Sequence, residues 1–66
     1  MSVARTTEIS ASSSKSIEDA IEKGIKRAKE TLDNVRSAWV QDIKAVCKDG
    51  KFDEYRVSMK VTFVLR

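Results

Sequence analysis

The chain has 66 residues, thirteen basic and ten acidic, with a formal net charge of +3 and no histidine. That is room for one domain, spanning residues 1–66. A single cysteine excludes an internal disulfide, and without histidine the usual zinc frameworks, Ser-His catalysis and Cys-His catalysis are excluded too.

Two glycines are too few for a phosphate loop or a dinucleotide fingerprint, and the absence of proline argues against a linker or a proline-rich ligand. No base and nucleophile pair can be assembled from these residues, so the chain reads as a non-enzyme. Below ~70–80 residues one core seldom supplies more than ~3–5 kcal/mol. With no staple available, self-association is the expected support, and a 41% hydrophobic content is enough for it. The basic and acidic residues are interspersed, as on a soluble surface. No apolar run approaches a membrane span, the first residues lack the apolar stretch of a secretory signal, and a lone free thiol points to the cytoplasm.

Residues 3–9 (VARTTEI) are rich in β-branched types and predict a short first strand. The serine-rich stretch that follows reads as a helix lead. Ser16 with Asp19 three residues on resembles a capping box with Asp in place of Glu; the functional alternative is an anion site at the helix start. Residues 17–33 predict an amphipathic helix whose stripe is Ile17, Ala20, Ile21, Gly24, Ile25, Ala28 and Leu32. Small residues at 20, 24 and 28 predict close packing against a sheet. Asp19–Lys23, Glu22–Lys26 and Lys26–Glu30 are spaced for ion pairs on the exposed face. Asp33-Asn34 favours a turn.

Residues 36–47 and 52–65 predict two long strands joined at Asp49-Gly50, a strong hairpin signal. A two-residue turn sets Ala38 against Val61 and Val40 against Met59 on the helix side. On the outer side it sets Ser37 against Thr62, Trp39 against Lys60 and Ile43 against Arg56. The predicted fold is therefore α+β: strand, helix, strand, strand, with a three-stranded antiparallel sheet packed on one helix. One helix covers only part of such a hairpin, which leaves Trp39 as an interface or ligand-site aromatic.

Across nearly its whole length the sequence resembles the dodecins. The resemblance is carried by Ser16-Ile17-Glu18-Asp19-Ala20-Ile21, Gly24-Ile25-Lys26-Arg27-Ala28, Thr31-Leu32-Asp33-Asn34-Val35 and Tyr55-Arg56-Val57-Ser58-Met59-Lys60-Val61-Thr62-Phe63. It implies a hollow homododecamer with trimeric contacts and dimer-like contacts between long strands. It also implies a non-enzymatic role in binding, storing or sequestering a flavin (riboflavin, FMN or FAD) stacked between tryptophans of related chains. Aligned to that pattern, the stacking tryptophan falls on Ser37 and a hydrogen-bonding glutamine falls on Arg56. The residues expected at the small-ligand site are Ser37, Trp39, Gln41 and Arg56: Trp39 as aromatic wall, Arg56 as charged donor, Ser37 and Gln41 as polar contacts.

The alternative is a flavin-free dodecin, structural or calcium-binding. Asp42, Asp49, Asp53 and Glu54 gather near the hairpin, although a single chain supplies too few ligands for calcium. No metal site is assigned within the chain. Cys47 reads as a half-buried strand thiol and Tyr55 as core with its hydroxyl at the rim. Lys44, Lys48, Lys51, Arg56, Lys60 and Arg66 are not interleaved with the aromatic platforms of a nucleic-acid module, so no nucleic-acid or membrane partner is expected.

Overall fold

The computed structural model describes residues 3–65. Arg66 lies outside them. Strand β1 (Val3–Ser13) leads into helix α1 (Ile17–Thr31), followed by strands β2 (Val35–Lys48) and β3 (Lys51–Leu65). The three strands form one antiparallel sheet in the order β1-β3-β2. The α+β class and β-α-β-β order read from the sequence are those observed.

β1 runs four residues beyond its predicted end. Serines are poor strand formers, but Ser10 to Ser13 pair with Ser58, Val57, Arg56 and Tyr55 of β3, and the ladder overrides propensity. Only the last of these serines serves the helix. Buried Ser13 accepts from the Lys15 N–H at 3.0 Å and donates to Asp19 Oδ2 at 2.6 Å. Ser16 caps α1 by accepting from the Asp19 N–H at 2.9 Å. The return arm of the box is replaced: Asp19 turns its carboxylate to Ser13 and to Lys23, whose Nζ is 3.1 Å away. The Ser13 hydroxyl first, and Lys23 second, hold this carboxyl below its ordinary value. Of the three predicted helix pairs, Asp19–Lys23 forms. Arg27 joins Glu30 at 2.8 Å in place of the Lys26–Glu30 contact.

α1 stops two residues early. The Leu32 N–H closes on the Ala28 carbonyl at 2.9 Å, and Asn34 adopts a left-handed conformation (φ 57°) that turns the chain into β2. At the hairpin, Asp49 and Gly50 both have positive φ (53° and 74°), the geometry that suits the strand twist.

The stripe of α1 packs on alternate residues of β3. Ala20, Ala28, Val57, Met59 and Val61 are the buried apolar core. A Cβ on Gly24 would run into the Met59 methyl and lie 3.3 Å from the Ala11 Cβ, so helix and sheet approach closely here and an alanine would have to displace the end of the Met59 side chain. This core is small for the chain's extent. The molecule measures 51 × 19 × 14 Å, with a radius of gyration of 13.5 Å, against about 11 Å for a compact chain of this length. The β2–β3 hairpin accounts for the excess, because it continues past the helix start. No helix among the described residues is long and apolar enough to cross a membrane.

The hairpin register departs from a plain ladder at three points. Arg36 and Gln41 are extra residues on β2, and Asp53 is extra on β3. The predicted pairs Ser37–Thr62, Ala38–Val61, Trp39–Lys60 and Val40–Met59 are all present. Beyond Gln41 the ladder slips by one. Ile43 lies opposite Val57, not Arg56, and so joins the helix side of the sheet. Its expected place on the outer face beside Trp39 is thereby corrected. Cys47 is also corrected: it is exposed, because α1 does not reach that far along the hairpin. Tyr55 is half-buried, with the Phe52 ring stacked obliquely on it at a centroid distance of 4.7 Å.

Candidate functional site

The side of the sheet turned away from α1 carries polar rows running across the strands, because directly paired residues share a face. One row joins Thr6, Thr62 and Ser37; the Thr6 and Thr62 hydroxyl oxygens are 3.5 Å apart. The next joins Glu8, Lys60 and Trp39, then Ser10, Ser58 and Asp42, then Ser12, Arg56 and Lys44.

Trp39 is 67% exposed, the most exposed large hydrophobic side chain described. Lys60 Nζ sits 6.0 Å from its ring centroid, at the outer reach of a cation–π contact. Ser37 is exposed two residues earlier on the same face, so Ser37, Trp39 and Lys60 form one contiguous patch. Gln41 is the exposed bulge residue, where the paired rows break.

Arg56 is not in that patch. It lies four residues from Lys60 along β3, about 13 Å at strand spacing. Its guanidinium donates to Glu54 Oε2 at 3.0 Å. Within one chain, then, the structure brings Ser37 and Trp39 together and leaves Arg56 apart. A ligand that touches both regions must be long or must lie between copies.

The slipped register adds one residue that the sequence reading did not place at the site. Lys44 stands directly across from Arg56, with Ser12 on the other flank. An ammonium, a guanidinium and a hydroxyl in one row make an anion-binding set. Only the bulge at Gln41 reveals it, and no glycine or proline marks that bulge. The outer face as a whole offers a flat indole, the three cations Lys44, Arg56 and Lys60, the two carboxylates Glu8 and Asp42, and several hydroxyls. Among the described residues no three carboxylate or thiol groups gather as a cation site.

Comparison with known proteins follows the same line. The family model for Dodecin matches residues 3–66. The solved dodecin from Streptomyces davaonensis is 34% identical, with 98% of this chain and 96% of that one covered and a TM-score of 0.93. A tryptophan-to-phenylalanine mutant of the Thermus thermophilus dodecin is 27% identical, with 100% and 98% covered and a TM-score of 0.92. The calcium dodecin of Mycobacterium tuberculosis, described as calcium chelating and with a calcium-binding site, is 29% identical, with 97% and 91% covered and a TM-score of 0.85. No curated protein matches the chain. The family match spans the sheet, the helix and the patch around Trp39 alike, and the chain belongs to the dodecin family.

Proposed function

We propose that this chain is the repeating unit of a homododecameric, non-enzymatic shell that binds, stores or sequesters a small ligand in the cytoplasm. One observation carries this reading: a 67% exposed Trp39 under a lysine, on a chain whose core is too small for its length. Trimeric contacts and dimer-like contacts between the long strands would complete the fold and bring copies of the outer face together. The favoured ligand is a flavin, whether riboflavin, FMN or FAD. Indole and isoalloxazine offer large flat faces, and stacked ring pairs are worth ~0.5–1.5 kcal/mol beyond burial. Trp39 is the aromatic wall, Ser37 and Gln41 are polar contacts, and Arg56 with Lys44 receives a phosphate from the same or a neighbouring copy. Neither a membrane nor a nucleic acid is a partner in this reading.

A second reading has its own observation. Ser37 stands where the flavin pattern puts its stacking tryptophan, and it cannot stack. A flavin-free shell, structural or calcium-binding, fits that departure and the similarity to a calcium dodecin. Calcium would then draw on Asp42, Asp49, Asp53 or Glu54 from several copies.

The test is the absorbance spectrum of the assembled protein as purified, with its mass in solution and titrations of riboflavin and FMN. Flavin absorbance, or quenching of added flavin, on a twelve-copy particle is the expected result. A twelve-copy particle with neither signal overturns the flavin reading in favour of the second. A folded single-copy protein overturns both.

A further inference from the structure

We propose that the Lys60 ammonium covers the Trp39 ring in the empty site, and that Glu8 is the second seat to which it moves when a flat ligand stacks there. The proposal rests on the reading of Trp39 as the ligand's aromatic wall and adds how that wall is uncovered.

Three side chains stand in one cross-strand row: Glu8 on β1, Lys60 on β3 and Trp39 on β2, with the lysine in the middle. Directly paired residues share a face and hold their Cβ atoms about 4.5–5.5 Å apart, so one long side chain reaches either neighbour without backbone movement. Both neighbours attract an ammonium, Glu8 by its charge and Trp39 by the negative face of its ring.

In the structure Lys60 has taken the indole. Its Nζ is 6.0 Å from the ring centroid, and among the described residues it forms no ion pair. Glu8 is exposed and likewise has no cation partner among the described residues. The other carboxylate in these rows, Asp42, lies one row away as a diagonal neighbour at ~7–8 Å, so Glu8 is the nearer seat.

The two seats are close in free energy. A cation–π contact at an exposed site biases an equilibrium roughly 2- to 5-fold, and a direct cross-strand charge pair does so by about as much. Near the middle of those ranges the ring is open about half the time, and a ligand that binds only the open ring loses affinity by that fraction. Without Glu8 the open fraction falls to about a quarter, and without Lys60 the ring is always open. Glu8 is thus a positioning residue that acts on the ligand only through the lysine.

The test uses the chain's single tryptophan as its own probe. Glu8 and Lys60 both lie outside the core. In protein stripped of bound ligand, acrylamide, which quenches an indole on contact, is expected to quench Lys60→Thr more strongly than wild type and Glu8→Gln more weakly. The double variant is expected to match Lys60→Thr. Riboflavin, which is neutral, is expected to follow the same order, binding Lys60→Thr about 2-fold more tightly than wild type and Glu8→Gln about 2-fold more weakly. Wild-type quenching in Lys60→Thr overturns the cover. Wild-type quenching in Glu8→Gln, or an effect of Glu8→Gln that persists in the Lys60→Thr background, overturns the second seat. The expected order of quenching with no riboflavin bound by any of the four proteins upholds the moving lysine and overturns the flavin reading alone.

Discussion

Lys44 and Arg56 face each other directly across β2 and β3, two cations in one cross-strand pair. Like charges placed this way cost about 0.2–1 kcal/mol, and the Glu54 carboxylate 3.0 Å from Arg56 relieves only one side. Lys44→Ser should therefore raise the unfolding midpoint slightly. The same change should weaken FMN more than riboflavin, because only FMN carries the phosphate that the pair would receive. Thermal unfolding and parallel titrations check both. An equal loss for the two flavins would remove Lys44 from the site.

Trp39→Ala separates the ligand role from a structural one. Trp39 is 67% exposed, so the folded chain loses little by removal of its indole. Loss of a stacked ring pair worth ~0.5–1.5 kcal/mol beyond burial corresponds to at least roughly 2- to 13-fold weaker flavin binding at unchanged particle size. Fluorescence titration and light scattering on one sample measure the two effects. A particle that falls apart would assign Trp39 to assembly.

Gly24→Ala tests the close approach of helix and sheet. Alanine gains up to ~1 kcal/mol of helix propensity, but overpacking a filled core costs ~1–3 kcal/mol. Met59 is fully buried and its methyl would meet the new Cβ, so the balance should be destabilising by about 1 kcal/mol. Pairing the change with Met59→Val should recover more than the two single effects predict. Urea unfolding of the four proteins completes the cycle.

Asp19 gives the chain an acid-sensitive clasp between β1 and α1. Its folded pKa is depressed by Ser13 and Lys23, so the ionised form favours the folded state. That contribution is complete above the unfolded value, near pH 4, and disappears as pH falls through the lower folded value. Asp19→Asn should lower stability at neutral pH and flatten the acid limb of the curve. Urea midpoints between about pH 2 and pH 6 provide the check, and two parallel curves would deny Asp19 this part.

The helix was legible because Ala20, Gly24 and Ala28 recur at its period, and Ser16 marked its start. The hairpin was legible because Asp49-Gly50 admits positive φ at both positions. Strict alternation from Tyr55 to Leu65 located the core wall, and it placed Ser37 and Trp39 on one outer face. Ser10 to Ser13 misled because local preference opposed a strand that pairing with β3 enforces. Gln41 misled more, since an ordinary residue gives no sign of a bulge. Its one-residue slip moved Ile43 to the helix side and brought Lys44 opposite Arg56. The 13 Å between Arg56 and the Trp39 row was readable from residue numbers alone, four steps along one strand.

The extra residues at Gln41 and Asp53 sit on opposite arms of the hairpin, so the ladder slips and then recovers before the turn. Removing Gln41 would leave every facing partner unchanged while straightening the arm, because a bulge bends and twists its strand. In the proposed shell, tiles that lost this bend would no longer roll up into a small ball. Electron micrographs of the deletion should then show larger or unclosed particles, which would make a single unpaired glutamine the setting for the radius of that shell.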